Sequence, residues 1–163
     1  MKIYLTTDTH FNHQRMVTEG WRPEGYEYLI QEEFGRLTKD DILIHLGDVC
    51  MGKDAEAHKQ YIAPLPCKKW LVLGNHDRKS LTWYMDYWDV ACRRLTIDAF
   101  GKRILFSHKP QEDNGTFEVN IHGHLHDLHR DYEVEQTDKH ILLALEDQYL
   151  DYQLTTVKEA LDA

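Results

Sequence analysis

The stretch Lys69-Trp70-Leu71-Val72-Leu73-Gly74-Asn75-His76-Asp77 decides the fold class. A short, mostly apolar strand over 69–73 runs without a break into a glycine and three polar side chains. Asn75 offers a neutral carbonyl ligand. His76 can donate a proton, with Asp77 beside it to orient the imidazole. The alternative for these four residues is a polar turn that follows a strand.

Working outward, the same arrangement recurs. A strand over 2–7, with Ile3 and Leu5 on one face and Tyr4 and Thr6 on the other, stops at Asp8-Thr9-His10. A strand over 41–46 runs into Gly47-Asp48, one over 102–106 into Ser107-His108, and one over 117–121 into His122-Gly123-His124-Leu125-His126. Helices are expected between them. Tyr26, Ile30, Phe34 and Leu37 have helical spacing over 26–37, interrupted by Gly35. A second helix over 54–63 is closed by Pro64 and Pro66, and a third over 80–88 is capped by Ser80. The segment 20–25, with two glycines and Pro23, is a loop. Later come a strand over 90–97, a turn at 99–101, a polar loop over 109–116 and a charged hairpin or loop over 127–139. Strands over 140–145 and 149–154 and a helix over 155–161 follow. Strands alternate with helices first and dominate afterwards. The expectation is therefore an α/β fold with more than one sheet, or a mixed sheet, in one domain spanning 1–163. Five strand ends carry metal-competent side chains, and in open α/β sheets that edge is where ligands gather.

The chain has 163 residues, enough for one sizeable core and short for two. No run of about 18 apolar residues offers a transmembrane helix. The first residues turn polar within five positions, so a cytoplasmic protein is expected. Cys50, Cys67 and Cys92 are odd in number and widely spaced, which fits neither a disulfide framework nor a metal motif. The net charge of −9 disfavours a grip on long duplex nucleic acid. Two divalent cations held in one place would still give such a chain a positive hole for a phosphate.

Each block alone is ambiguous. Asp8-x-His10 in extended backbone points both side chains to one side, where they can share a cation; it can equally be a turn with an aspartate cap. An aspartate after a glycine is usually a turn residue, yet the Asp48 carboxylate can bridge two cations, each oxygen taking one. A lone His108 more often packs than ligates. The three imidazoles of 122–126 repel one another when charged and make best sense around a metal.

Taken together, the order Asp8-x-His10, Gly47-Asp48, Gly74-Asn75-His76-Asp77, His108, Gly123-His124-x-His126 resembles the calcineurin-like metallophosphoesterase superfamily. The motifs cover about three quarters of the chain, and the blocks around 8–13 and 145–152 look like its small bacterial and phage members. The resemblance implies a sandwich of two mixed β-sheets flanked by α-helices. It implies one metal held by Asp8, His10, Asp48 and His126, and a second held by Asp48, Asn75, His108 and His124, with Asp48 bridging. The metals would be Mn, Fe, Zn or Ni. Metals acidify bound water to hydroxide near neutral pH, for in-line attack on phosphorus, with His76 as proton donor to the leaving oxygen.

Monoester-specific phosphatases of the superfamily carry extra arginines in a Gly-Asp-x-x-Asp-Arg-Gly block. Here the block reads Gly47-Asp48-Val49-Cys50-Met51-Gly52. That favours a small, nucleotide-like phosphodiester as substrate, with a phosphomonoester as the alternative. His13 and Arg78, and with them Arg15 and Lys109, stand near the blocks as candidate substrate contacts; each can equally be a solvated residue. A catalytically quiet scaffold with this fold is a further alternative, disfavoured because His76 and every ligand are present. A nuclease reading would be confined to short or single strands, because there is no room for a capping domain. The aromatic cluster Trp83-Tyr84 and Tyr87-Trp88 reads as packing or as a contact in an oligomer.

Overall fold

The protein is described by a computed structural model covering residues 1–126, 134, 136–147 and 149–163. Two mixed sheets stack face to face. The first contains β1 (Ile3–Thr6), β2 (Ile42–His45), β3 (Lys68–Val72), β4 (Val90–Cys92) and β9 (Thr155–Thr156) in the order β4-β3-β2-β1-β9. Its strands are parallel except for β9, which runs antiparallel to β1. The second contains β5 (Leu95–Ala99), β6 (Lys102–Ser107), β7 (Val119–His122) and β8 (His140–Leu142) in sequence order, with β5 antiparallel and the rest parallel. The helical segments are α1 (Arg15–Thr18), α2 (Tyr26–Phe34), α3 (Asp54–Ala57), α4 (Leu81–Tyr84) and α5 (Val157–Asp162).

Side-chain alternation explains the layering. In β2, Leu43 faces a core with Phe11, Ile30, Phe34, Tyr61 and Trp88, while Ile42 and Ile44 face a second core between the sheets. In β3, Leu71 joins the first core and Val72 the second. A strand buried on both faces loses the polar alternation of a surface strand, as β2 shows. The second core is closed by Ile104, Phe106 and Ile121 from the other sheet. Phe106 is fully buried there. Phe106→Ala is expected to cost about 3–5 kcal/mol of stability, read as a lowered urea midpoint with little change in slope.

Several sequence expectations need correction. The helix over 26–37 ends at Phe34, because Gly35 becomes its C-cap with its N–H shared between the Gln31 and Glu32 carbonyls. The helix over 54–63 starts as α3 but continues as a π-helical turn, His58–Ile62. Ser80 does cap a helix, its Oγ accepting the Trp83 N–H at 3.1 Å, yet α4 has only four residues. The strand over 90–97 is two strands in different sheets, divided at Arg93-Arg94. The strand over 149–154 is absent. Asp151 and Tyr152 take positive φ, and the Tyr152 N–H turns back to the Leu145 carbonyl. Helix α5 starts at Val157, behind a capping box formed by Thr156 and Glu159. Most of the hairpin or loop expected over 127–139 lies outside the described residues. Among those described, no helix is long and apolar enough to cross a membrane.

Candidate metal centre

The C-terminal ends of β1, β2, β3, β6 and β7 converge on one edge of the sandwich. The first two exit loops continue the ladder of their parent strands: Asp8 N–H donates to Gly47 O at 2.9 Å, His10 N–H to Asp48 O at 3.1 Å and Phe11 N–H to Val49 O at 2.9 Å. The backbone there is not extended, contrary to the simple expectation. Asp8 (φ 48°), His10 (φ 47°), Asp48 (φ 56°) and His124 (φ 69°) are all left-handed. Such conformations cost roughly 1–3 kcal/mol each and persist where the surroundings over-determine them. Asp8 and His10 therefore share one face through two left-handed turns, not through strand alternation.

Two ligand groups result. Asp8, His10 and His126 bring their ligand atoms within 4.8 Å of one another, as do Asp48, His108 and His124. Asp48 Oδ2 lies between them, 3.9 Å from His10 Nε2 and 3.4 Å from His108 Nε2. Asn75 Oδ1 is 3.0 Å from His108 Nε2, which brings Asn75 to the second group. Asp48 Oδ1 is taken by the His76 N–H at 2.8 Å. Asp48 Oδ2 thus stands nearest both groups, while Oδ1 is held by the His76 loop.

The donor set fits divalent cations. His108 Nδ1–H donates to Leu46 O at 2.7 Å and His126 Nδ1–H to Glu146 Oε1 at 2.8 Å, so each ring turns its Nε2 inward, where a cation would displace any proton it carries. These nitrogens crowd others: His10 and His126 Nε2 are 3.3 Å apart, and His108 Nε2 is 3.1 Å from His124 Nδ1. Asp8 Oδ1 is buried with no hydrogen-bond partner. Burial raises the Asp8 carboxyl above its ordinary range and pushes the His10 ring down to about 2 and the His124 ring to about 4. Burial also works against charge on His108, but the Asp48 and Asp8 carboxylates outweigh it and hold that ring up at about 9. Converging lone pairs and an orphaned carboxylate oxygen are what a cation satisfies.

The glycines of the motifs provide space. A Cβ at Gly74 would overlap the Asp48 carboxylate, and one at Gly123 would overlap Thr7 Oγ1 and Asp8 Oδ2. His76 sits at the mouth, 29% exposed, with Nε2 3.9 Å from Asp48 Oδ2. Asp77 does not orient its ring as expected. Its carboxylate accepts the backbone N–H groups of Gly74 (2.7 Å), Asp48 (2.8 Å) and Val49 (3.1 Å) and so ties the β2 and β3 loops together. His13 is half-buried with its ring 5.2 Å from that of His10. Arg78 is exposed and makes no hydrogen bond or ion pair among the described residues. Arg15 is paired with Glu19 at 3.5 Å, on the surface.

Four supporting residues escaped the sequence reading. Arg22, 3% exposed, donates to Asp8 O (2.7 Å), Thr9 O (3.1 Å) and Glu146 Oε1 (2.7 Å). Tyr26 donates to His10 O at 2.6 Å. Inside β2, His45 accepts the Gly47 N–H at Nδ1 (3.1 Å) and donates from Nε2 to Thr9 Oγ1 (2.9 Å), which donates on to Val49 O (2.8 Å). Glu146 completes a carboxylate–histidine pair behind His126. Glu146→Gln is expected to weaken metal binding about 10- to 100-fold, measured by calorimetric titration of the metal-free protein with Mn²⁺.

Comparison with known proteins agrees with this geometry. A family model described as calcineurin-like phosphoesterase matches residues 1–158. The chain is similar to uncharacterized protein MJ1445 of Methanocaldococcus jannaschii, at 27% identity over 141 residues covering 80% of this chain and 72% of that one. It is also similar to the gene 66 protein of Mycobacterium phage D29, at 27% identity over 156 residues, 76% of this chain and 78% of the relative. Among solved structures, the protein of unknown function AQ665 from Aquifex aeolicus matches with a TM-score of 0.74 and 26% identity, over 99% of this chain and 98% of that one.

Proposed function

The chain belongs to the calcineurin-like phosphoesterase family, and on that premise we propose that it is a binuclear-metal phosphodiesterase acting on small, nucleotide-like diesters. The observation that carries the reading is Asp48 Oδ2, which faces both ligand groups from within 3.9 Å of His10 and 3.4 Å of His108. Asp8, His10, Asp48 and His126 would hold one divalent ion, and Asp48, Asn75, His108 and His124 the other. Such ions, when bound, supply positive charge against the phosphate and acidify water near neutral pH. The chain's own residues do the rest. Water oxygen bonds to phosphorus and gives up a proton to solvent, the ester P–O bond breaks, and the departing oxygen takes a proton from His76 at the mouth, which solvent restores. Asp77 acts as a positioning residue, holding the Asp48 loop against Gly74.

A diester is favoured over a monoester by the fate of the arginines. A dianionic monoester calls for guanidinium groups aimed at it. Among the described residues, the one arginine in contact with the centre, Arg22, is buried and turned away, its donors committed to Asp8 O, Thr9 O and Glu146. With Mn²⁺ loaded, bis-p-nitrophenyl phosphate should be cleaved at least about tenfold faster than p-nitrophenyl phosphate. Faster cleavage of the monoester reverses the preference. Cleavage of neither, with metal demonstrably bound, replaces the enzyme by an interaction scaffold.

A further inference from the structure

A cavity of about 760 Å³ opens beside the centre and shares His124 with it. Its floor is apolar, from Leu105 on β6 together with Phe117 and Leu125, each less than a tenth exposed. Among the described residues, Arg94 and Lys109, both exposed, bring two cations to its lining, against the single carboxylate of Glu112. That local excess of positive charge stands out on a chain with net charge −9.

The wall is braced. Ser107 Oγ donates to Lys109 O at 2.7 Å, and the Gln111 N–H donates to Asn120 Oδ1 at 2.9 Å. Asn120 is itself fully buried and donates from Nδ2 to Leu105 O at 3.1 Å. The loop over 109–116 is thereby fastened to the second sheet, and that wall of the cavity is preformed.

Resting on the phosphodiesterase reading above, we propose that this cavity receives the nucleoside of a nucleoside phosphodiester whose phosphate lies over the metal centre. The volume lies in the range of clefts that enclose a whole small molecule. A methyl- or glycerol-sized substituent would leave most of it to water. An apolar floor below a guanidinium suits a flat, polar-edged ring, which Arg94 can stack upon. The same two cations oppose a choline or ethanolamine substituent, so a phospholipid head group is the poorer occupant.

The experiment holds the leaving group constant. Thymidine 5′-p-nitrophenyl phosphate and methyl p-nitrophenyl phosphate both release p-nitrophenolate, and differ only in what enters the cavity. The Mn²⁺-loaded protein should prefer the nucleoside ester at least about tenfold in kcat/KM, chiefly through KM. Thr96→Trp, which fills the cavity from an exposed position on β5, and Arg94→Ala should each bring that ratio towards one. Calorimetric binding of thymidine 5′-monophosphate against methyl phosphate, to the same proteins, reads the cavity without turnover. Hydrolysis of both esters with no preference, and no effect of either variant on the ratio, overturns the nucleoside assignment and leaves the phosphodiesterase reading standing. Hydrolysis of neither ester, with tighter binding of the nucleotide that Thr96→Trp removes, upholds the cavity and overturns the hydrolytic reading.

Discussion

Asp48→Asn is expected to remove hydrolysis by a factor of about 10³ or more, and to weaken binding at both metal positions together. One atom, Oδ2, faces both ligand groups. An asparagine presents a neutral carbonyl or an amide in its place. A carbonyl keeps weak ligation but no longer offsets the charge of two cations; an amide donor repels them. The backbone around position 48 should survive, because its N–H goes to Asp77 and its carbonyl to His10, neither of which involves the side chain. The fold should therefore be retained while both ions are lost, and metal analysis with circular dichroism separates the two. Retention of one ion at full affinity would show that Asp48 belongs to one position only.

The second large effect has the opposite signature. His76→Asn should lower kcat about 10²- to 10⁴-fold for an ester with a poor leaving group, with the metal content unchanged. His76 lies outside both ligand groups, and its backbone N–H, which holds Asp48 Oδ1, is kept in the asparagine variant. An ester whose departing oxygen needs no proton, such as p-nitrophenolate, should be much less affected. Equal losses for both kinds of ester would remove His76 from the role of proton donor. Asp77→Asn, by contrast, should disturb the metals, since its carboxylate spans the Gly74 and Asp48 loops.

The contrast between these residues shows what the sequence could tell. That Asp8, His10, Asp48, Asn75, His108, His124 and His126 meet at one edge was legible, because each follows a strand at short range and a parallel sheet brings such ends together. Glu146 was not legible. It meets His126 across 20 positions of chain, and a lone glutamate has no local pattern. Arg22 was equally silent, since its partners are backbone carbonyls that any sequence supplies. His45 looked like one more strand residue. The strand expected over 149–154 failed because Leu150 and Tyr152 alternate and are buried, as in a strand, yet they pack as parts of a turn. The division at Arg93-Arg94 has a local mark, two consecutive exposed charges, but such a break does not by itself tell an irregularity within one strand from a change of sheet.

The candidate ligands come from both layers, Asp8, His10, Asp48 and Asn75 from the first sheet and His108, His124 and His126 from the second. Ions seated among them would act as rivets through the laminate. Their binding energy would resist shear of one layer over the other, and the melting temperature would climb with free metal concentration as the unfolded chain releases what it cannot grip.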